Sequence, residues 1–387
     1  LPATGGSVSL SDGTFILGDE LVLLRDNVRL MGQGRSTRLL RPYSASGESV
    51  VRIGSAMVRP RGVRIESLSF RRSGSTMTGY AVSVERAADF GMLRCELANL
   101  YEGVQLNNVD GGYIEGCLAR DVAKPFVLNG ASSFAVRNNR LERVGVHGIA
   151  VSAGGRGGTN LREHGVLVTG NQILDVAQKG IVAHCGLPGA MLTGVTISAN
   201  QTTRCKDGIQ IGRSVEAVTT GNVVLDCVGP GIYVFEAGQR ALVANNTIRG
   251  CSEGIIVGNT RTGPARDVEL RGNAIEGNNI GIAVNHAERL LIAGNRIRNN
   301  TKAGIRGYGI LVTNNQSRDL TISDNDFSGH AGTQAGFGIA FVGAIQGANP
   351  RIRGNVFRGS GHAGEYGLSL SRSSEPLFLN GNSFRGY

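Results

Sequence analysis

The chain has 387 residues, of which 59 are glycine, 18% are charged, 5% are aromatic and none is tryptophan. Because glycine costs about 1 kcal/mol at an interior helix position relative to alanine, this composition excludes most helical architectures. The 40 basic and 30 acidic residues give a net charge of +10, and no apolar run reaches the roughly 18 residues that a membrane-spanning helix needs.

Arginine dominates the basic residues, because only four of them are lysines. The planar guanidinium group suits carboxylate, sulfate and phosphate groups, so the excess favours an anionic partner. A compositional bias of the genome would produce the same excess. The basic residues are not interleaved with aromatic ones, and no zinc-finger, helix-turn-helix or RNP-like motif occurs, so the sequence predicts no nucleic-acid partner.

The first 75 residues are the least regular part of the chain. Their strand-like segments, SVSLSDGTFIL, ELVLLRDNVRLMGQG and TRLLRP, are predicted to cap one end of a repeat structure. We therefore predict capping strands and first coils over residues 1–75 and one continuous regular repeat over residues 76–387. Between Val84 and Tyr101 the pattern also fits a helix, but FGMLRCEL keeps the strand register of YIEGCLA around Cys117.

Two phrases recur along the rest of the chain with a shared period of about 27 residues. The first is a glycine, a branched apolar residue, any residue and another apolar residue, and it starts at Gly103, Gly148, Gly180, Gly208, Gly231, Gly254, Gly281, Gly309, Gly338 and Gly367. The second is an asparagine at Asn139, Asn171, Asn200, Asn222, Asn246, Asn273, Asn295, Asn325, Asn355 and Asn382. The residue two positions after each asparagine is apolar except at Thr202. These residues are expected to form an inward-facing stack.

Short alternating segments separated by glycine or asparagine indicate short strands joined by tight bends. Two or three such strands per repeat predict an all-β, single-stranded, right-handed parallel β-helix of about twelve coils. The leucine-rich horseshoe has a similar period but would need leucine at most framework positions and a helix-compatible half-repeat. Here the framework is isoleucine and valine, so the β-helix is favoured. Its asparagines are expected to share side-chain hydrogen bonds from coil to coil.

The six cysteines include no C-x-x-C pair, so zinc-ribbon and thioredoxin-like sites have no support. Cys205 and Cys251 lie three residues before a repeat glycine, and Cys227 lies four residues before one. They are predicted to stack as buried thiols, with a bridge between neighbours as the alternative.

The repeat, together with the opening LPATGGSVSLSDGTF and the later NVRLMGQGRSTRLL, resembles the right-handed parallel β-helices of the pectate-lyase-like superfamily. The resemblance covers essentially the whole chain and includes phage tailspikes and secreted polysaccharide enzymes. It implies the fold but not the reaction, because the superfamily contains lyases, hydrolases, epimerases, fructan-converting transferases and non-catalytic fibres. The Asp-Asp and Gly-His-Gly motifs of polygalacturonase-like hydrolases, the Asp-Pro-His motif of alginate epimerases and the nine-residue calcium repeat are absent.

This resemblance predicts a protein that binds and cleaves a microbial, acidic polysaccharide by lysis or hydrolysis. A uronan epimerase or glycan transferase acting in the same groove, and a non-catalytic adhesion fibre, are the alternatives. No cofactor is predicted, and a calcium ion stays open without a motif for it. The expected location is extracellular, periplasmic or on a virion surface, with the targeting segment absent from this sequence. A homotrimer or a monomer is expected, since tailspike-like relatives are trimers.

One candidate site follows from the position five residues after each repeat glycine. On successive coils, about 5 Å apart, this position carries Arg213, Glu236, Asn259, His286 and Asn314. Arg213 is predicted to bind a substrate carboxylate with help from Asn259, while Glu236 and His286 transfer protons. Tyr233 is a further acid or base on the same strand face, where Gln210 is predicted to bind substrate. The alternative is an ordinary solvated edge containing a Glu–Arg pair.

The position just before each repeat glycine gives a second column. Asp207 is a further catalytic candidate there, and an ion pair with Lys179 on the adjacent coil is the simpler interpretation. Tyr308, Phe337 and Tyr366 follow one another at 29-residue spacings. They are predicted either to stack against sugars or to pack against one another along the flank of the β-helix.

Three insertions, at residues 152–165, 185–194 and 259–267, follow the first strand of their repeats and are expected to wall one groove. His164 and His184 fall there and are predicted to bind substrate, with Arg162 beside them. Glu163 paired with Glu236 or Asp207 would supply two carboxylates for glycoside hydrolysis.

Overall fold

The structure is a computed structural model, and all regular structure that it describes is β-strand apart from one 3-10 turn at Gly34–Ser36. It describes residues 4–42, 49–72, 79–153, 162–186, 190–235, 238–259, 263–301, 306–313, 317–330, 335–342, 349–361, 364–370 and 377–387. Within these ranges no helix is long and apolar enough to cross a membrane.

The chain divides into two compact units, Leu1–Thr196 and Ile197–Tyr387. The strands of the first are β1 (Gly6–Ser9), β2 (Gly13–Ile16), β3 (Leu21–Leu23), β4 (Val28–Met31), β5 (Thr37–Arg41), β6 (Ser49–Ile53), β7 (Arg64–Glu66), β8 (Ser69–Arg72), β9 (Tyr80–Glu85), β10 (Ala88–Leu93), β11 (Glu96–Asn107), β12 (Asp110–Glu115), β13 (Leu118–Asn129), β14 (Ser132–Arg137), β15 (Arg140–Val144), β16 (His147–Ser152), β17 (Arg162–His164), β18 (Leu167–Thr169), β19 (Gln172–His184) and β20 (Met191–Thr193).

After β21 (Thr196–Ser198), the strands of the second unit are β22 (Gln201–Gly212), β23 (Ser214–Val215), β24 (Val218–Thr220), β25 (Val223–Leu225), β26 (Ile232–Phe235), β27 (Leu242–Ala244), β28 (Thr247–Arg249), β29 (Glu253–Val257), β30 (Ala265–Arg266), β31 (Glu269–Arg271), β32 (Ala274–Glu276), β33 (Ile280–Val284), β34 (Ala287–Ala293), β35 (Arg296–Arg298), β36 (Arg306–Thr313), β37 (Arg318–Ser323), β38 (Asp326–Ser328), β39 (Ala335–Val342), β40 (Arg351–Arg353), β41 (Val356–Arg358), β42 (Glu365–Leu370), β43 (Phe378–Asn380) and β44 (Ser383–Arg385).

Most strands of each unit belong to three parallel sheets, in which a strand pairs with its equivalents on the neighbouring coils; β17, β20, β23 and β30 lie outside these rows. In the first unit the orders are β1-β4-β7-β10-β12-β14-β18, β2-β5-β8-β11-β13-β15-β19 and β3-β6-β9-β11-β13-β16-β19. In the second they are β24-β27-β31-β34-β37-β40-β43, β22-β25-β28-β32-β35-β38-β41-β44 and β22-β26-β29-β33-β36-β39-β42. The predicted all-β parallel fold is therefore confirmed.

The segment that also fitted a helix is strand. β10 pairs with β12, Met92 opposite Ile114, and β11 pairs with β13, Glu96 opposite Leu118. The first 75 residues already follow the same three-sheet pattern, from β1 to β8. The predicted boundary between cap and regular repeat at residue 75 stays a prediction.

The asparagines form the hydrogen-bonded ladder that the repeat predicts. In the second unit the backbone N–H and Nδ2 of Asn222 both donate to Oδ1 of Asn246, at 2.9 Å each. Asn246 donates in the same way to Oδ1 of Asn273, at 3.0 Å each, and its Nδ2 also donates to the carbonyl of Thr219. In the first unit Asn139 donates to Asn171 with the same geometry. One side chain per coil thus satisfies backbone and side-chain groups that no water reaches.

The residues two positions after these asparagines stack inside the helix. Ile248, Ile275 and Ile297 in the second unit are fully buried. Phe327 and Phe357 are fully buried too, and their rings stack with centroids 4.9 Å apart. The predicted inward stack is confirmed, and Thr202 is its buried polar member.

None of the repeat glycines has the left-handed backbone that a tight bend would use. They are needed for a different reason. The left-handed positions fall instead just before the ladder asparagines, as at Gly221, Gly272 and Gly294, where φ is +62° to +65°. At Gly254 the backbone is not left-handed. An added Cβ there would lie 2.4 Å from Cγ2 of Ile275 and 2.5 Å from the carbonyl oxygen of the next repeat glycine, Gly281. Close approach of successive coils therefore requires this glycine.

Two Gly→Ala variants separate these requirements. Gly294→Ala places alanine at φ +65° with no atom within 4 Å of the new Cβ, so only backbone strain of about 1 kcal/mol is expected. Gly254→Ala must move backbone and core atoms, and about 3 kcal/mol is expected. Urea unfolding of both variants measures the difference. Equal losses of unfolding free energy would contradict the steric explanation.

A second interior ladder begins with Cys205, Cys227 and Cys251, which were predicted to stack. Its continuation beyond Cys251 was not predicted. The Cys227 thiol hydrogen bonds with its neighbours Cys205 and Cys251, and its bond with Cys205, ahead of burial, raises the pKa of Cys227 to about 12. The backbone N–H of Cys251 then donates to Oδ1 of Asn278 at 2.8 Å. All six cysteines are free and buried, so the interpretation as buried thiols is confirmed.

This second ladder ends in a buried histidine. Asn278 donates to Oδ1 of Asn300, and the N–H of Asn300 donates to Nδ1 of His330 at 3.4 Å. Nε2 of His330 is buried without a hydrogen-bond partner among the described residues. Burial lowers the pKa of His330 to about 4, so the imidazole is neutral in the folded chain at neutral pH.

The buried histidine predicts acid sensitivity. Unfolded histidine takes up its proton near pH 6.5, whereas folded His330 does so only near pH 4. The stabilisation is therefore complete above pH 6.5 and is lost as the pH falls toward 4, by up to about 3 kcal/mol. His330→Asn keeps an acceptor for Asn300 and should flatten this dependence in unfolding measured from pH 7 to pH 4. An unchanged slope would contradict the assignment.

Candidate functional site

The residues of the predicted corner column that the structure describes, Arg213, Asn259 and His286, lie in the second unit. Gly212 pairs with Phe235, and Arg213 follows Gly212 directly. Val257 pairs with Val284, so counting would place Asn259 opposite His286. Asn259 instead bridges to Gly263, and the N–H of Ala265 donates to the carbonyl of His286 at 3.1 Å, so the stacking of Asn259 on His286 stays a prediction. Glu236 and Asn314 lie outside the described residues, so the catalytic role of Glu236 stays a prediction.

His286 and Arg213 have the surroundings of groups that could meet a ligand. Both are half-buried, and Arg213 has a left-handed backbone, φ +44°. Nδ1 of His286 is buried and makes no hydrogen bond within the described part of the chain. An imidazole with an uncommitted nitrogen can donate or accept a proton. Arg213 can therefore supply a cation, and His286 a proton-transfer group, to the predicted column.

Gln210 and Tyr233 pair with each other on the outer face of neighbouring strands, as predicted. Gln210 is however only 6% exposed, and its Oε1 has no hydrogen-bond partner among the described residues. Tyr233 is half-buried, with its ring centroid 5.0 Å from that of Phe235. Covering side chains would have to move before Gln210 could contact a substrate.

The second column contains the predicted aromatic row. The rings of Tyr308 and Phe337 stack with centroids 5.3 Å apart, and those of Phe337 and Tyr366 with centroids 5.4 Å apart. The face of each ring is covered by its neighbour, so the row packs against itself, as in the second of the two predicted alternatives. Tyr366, at 51% exposure, offers the most open surface of the three. Asp207 is half-buried at the same register position, and its ion pair with Lys179 stays a prediction.

In the first unit the same register position carries cations. Lys124 pairs with the buried Glu102 at 3.0 Å, and its ammonium lies 4.8 Å from the centroid of the Tyr101 ring. Next to it His147 pairs in register with Lys179. Burial, followed by the charges of Lys179 and Lys124, lowers the pKa of His147 to about 4. His147 is therefore neutral at physiological pH.

Many arginines are explained by ion pairs between coils. Arg143 binds Asp121 through two nitrogens at 2.7 and 2.8 Å, and Nη2 of Arg289 binds Asp267 at 2.7 Å. These carboxylates have pKa values lowered, first by the hydrogen bonds from their arginines. Such solvent-exposed pairs add little to stability. The arginine excess is thus partly structural.

The ends of two predicted insertions lie side by side in the first unit. β17 pairs with β20 in parallel, with Glu163 opposite Leu192 and His164 opposite Thr193. His164 is exposed. The side chains of Arg162 and Glu163 lie outside the described part of the chain, and Glu163 as half of a carboxylate pair stays a prediction. His184 ends β19 and is half-buried.

A pocket of about 610 Å³ lies in the first unit beside His164. Its polar lining consists of Arg59, Arg86, Asn108, Asp110, Ser132 and His164. Asn108 is five residues after the repeat glycine Gly103, so the pocket has the corner position predicted for the site but belongs to earlier coils. Except for His164, these residues were not predicted, although the same count of five residues from Gly103 reaches Asn108.

Three parallel sheets wound with one register define a right-handed parallel β-helix. The sequence family described as periplasmic copper-binding protein (NosD) matches residues 61–250 and 235–387. This is more than half of the chain, so the chain belongs to the NosD family. A sequence comparison with curated proteins finds no match.

Several solved structures have a similar fold. The A-module of mannuronan C-5 epimerase AlgE6 from Azotobacter vinelandii aligns with a TM-score of 0.53 and 16% identity over 97% of this chain and 92% of that one. The tailspike of E. coli bacteriophage HK620, solved with a pentasaccharide, gives 0.62 and 10% over 99% and 72%. DFA-IIIase from Arthrobacter chlorophenolicus A6 gives 0.53 and 12% over 84% and 88%. At these identities the likeness establishes the fold.

The residues described do not fit the copper that the family description names. Copper sites use cysteine, histidine and methionine ligands gathered around one point. Within the described ranges no group of three or more His, Cys, Asp or Glu side chains is placed to hold a metal ion. The cysteines are buried in the interior ladders, and burial raises the pKa of Cys95, so its thiol stays protonated where a metal would require the thiolate.

Proposed function

We propose that this β-helix binds and processes an acidic polysaccharide outside the cytoplasm. The observation that carries the proposal is that Arg213 and His286, a cation and a proton-transfer group, are both half-buried and are assigned by the repeat count to one corner column with Glu236 and Asn259. A coil spacing of about 4.8 Å offers a polymer a repeated row of polar groups. The fold shared with an epimerase, a pentasaccharide-bound tailspike and DFA-IIIase supports a carbohydrate ligand.

In this proposal Arg213 binds the carboxylate of a sugar unit through its planar fork. Glu236 and His286 act as the proton-transfer pair, and Tyr233 is a further candidate acid or base. Cleavage by elimination or hydrolysis is the proposed reaction. Epimerisation is the second candidate, favoured by the likeness to the mannuronan epimerase module.

A panel of acidic and neutral exopolysaccharides tests the proposal. Products absorbing near 235 nm indicate a lyase, reducing ends without that absorbance indicate a hydrolase, and altered sugar composition without cleavage indicates an epimerase. Binding without any product would make the chain an adhesion fibre. Neither binding nor product across the panel would refute the proposal.

The assembly is proposed to be a homotrimer, which would place a groove between subunits. Sedimentation at micromolar concentration should then give three times the chain mass of 40.6 kDa. A species at the chain mass would restrict the site to one subunit.

A further inference from the structure

The pocket of the first unit has the chemistry of an anion-binding site. Its volume of about 610 Å³ lies within the roughly 300–1,000 Å³ that small-molecule sites occupy. Two guanidinium groups, Arg59 and Arg86, line it together with the carboxylate of Asp110. Nη2 of Arg59 lies 3.6 Å from Oδ2 of Asp110, and both side chains are more than half exposed. Asp110 therefore balances the charge of Arg59, and the charge of Arg86 is available to an anionic ligand.

Backbone geometry holds the pocket floor in place. Arg86, Asn108 and Gly130 all have left-handed backbones at successive corners, with φ of +53°, +56° and +72°. The N–H of Arg86 donates to the carbonyl of Asn107 at 2.8 Å, and the N–H of Asn108 donates to that of Asn129 at 3.0 Å. These bonds fix Arg86 and Asn108 about 4.8 Å apart on adjacent coils. Arg86 is further anchored by a hydrogen bond from Nη1 to the carbonyl of Ala56.

An unused acceptor adds a second requirement on the ligand. Oδ1 of Asn108 is buried and has no donor among the described residues, although it borders the pocket. Leaving a buried acceptor without a donor is unfavourable, so a ligand hydroxyl that donates to Oδ1 once the Asn108 side chain turns toward the pocket would be selected. Gly130 keeps this space open, because a Cβ there would lie 3.0 Å from that oxygen. His164 closes the other side with an exposed imidazole.

The geometry points to a subsite for one anionic sugar unit, with its carboxylate or sulfate on Arg86 and a hydroxyl on Asn108. The inference rests on the proposed function for the polymeric nature of the ligand. It assigns the first unit a contact region of its own, selective for a negatively charged sugar. Arg59 and Asp110 are the further polar groups in reach of the ring hydroxyls.

Binding of short oligosaccharides tests the subsite. The probes are tetramers of galacturonate, mannuronate and glucuronate, each with its methyl ester as the uncharged match, and a sulfated galactan tetramer with its desulfated form. Calorimetry should show at least one charged tetramer binding at least 10-fold more tightly than its neutral match. Binding of a uronate tetramer would identify the anionic group as a carboxylate, and binding of the sulfated tetramer would identify it as a sulfate. Equal binding of every charged and neutral pair, or no binding of any tetramer, would overturn the inference.

Matched variants locate the binding. Arg86→Gln should weaken the charged tetramer about 10- to 100-fold and leave the neutral form unaffected. Arg240→Gln is the control, because Arg240 is also an exposed left-handed corner arginine, φ +51°. Asn108→Gly keeps the backbone conformation and should weaken both forms about 3- to 10-fold, with Asn245→Gly, φ +55°, as its control. Losses as large in the controls would overturn the assignment.

The outcome is separable from that of the proposed function. Turnover of a polymer without any effect of Arg86→Gln on tetramer binding would refute the subsite and leave the function standing. Tetramer binding that depends on Arg86, without turnover of any polymer, would retain the subsite and remove the enzymatic part of the proposal.

Discussion

Replacing Glu236 with glutamine is expected to slow processing of an acidic polysaccharide by about 10²- to 10⁴-fold, because the amide keeps the shape of the side chain but cannot transfer a proton. The unfolding temperature is expected to stay the same. Arg213→Asn should instead weaken substrate binding and make it less sensitive to salt, since it removes the charge that attracts the carboxylate. Asparagine tolerates the left-handed backbone of Arg213. Initial rates over a range of substrate concentrations separate the two effects.

The control for Glu236 is Glu216→Gln. Glu216 is an exposed corner glutamate whose Oε1 lies 3.1 Å from Nη2 of Arg240, and such a pair contributes at most about 1 kcal/mol. Full activity in both Glu236→Gln and Arg213→Asn would show that the corner column is only a solvated polar edge. Activity that survives Glu236→Gln but is lost in Asp207→Asn, at an unchanged unfolding temperature, would move the site to the other edge of the strand.

The fold could be predicted because its determinants recur in the chain. Asn246 and Ile248 recur on the next coil as Asn273 and Ile275, so the sequence alone shows which residues must be stacked. The reason for the repeat glycines could not be predicted, since the contact of Gly254 with Ile275 and Gly281 depends on the distance between coils. The extension of the cysteine ladder into Asn278, Asn300 and His330 was missed because cysteine, asparagine and histidine do not form a visible sequence repeat.

The candidate site was less predictable for a related reason. A column position follows from counting, so the sequence predicts that Arg213 and His286 share one edge. Whether a side chain at such a position is open depends on its neighbours, and Gln210 is covered. The pocket around Arg86 and Asn108 arises where left-handed corners carry side chains in place of glycine. Many corner residues share that conformation, so only their three-dimensional surroundings distinguish a pocket from an ion pair.

The largest effect on stability is expected from the asparagine ladder. Asn246→Ala removes the acceptor for the backbone N–H and Nδ2 of Asn222 and the donor to the carbonyl of Thr219. Asn222 and Asn246 are each 1% exposed, so water cannot replace the lost partners. At about 1–3 kcal/mol for each stranded group, the unfolding free energy should fall by about 3–5 kcal/mol. Hydrogen exchange at the Asn222 amide should accelerate in parallel.

Two further variants separate this effect from a general response to truncation. Thr247→Ala alters the exposed residue next in the chain and should cost less than about 0.5 kcal/mol. Asn382→Ala removes the same kind of acceptor from Asn355, but Asn382 is only half-buried, so water can bond the stranded donors. We expect the loss of unfolding free energy in Asn382→Ala to lie between those of Thr247→Ala and Asn246→Ala. If Asn246→Ala cost no more than Asn382→Ala, packing of the apolar stack would hold the coils together, and the shared amide hydrogen bonds would be secondary.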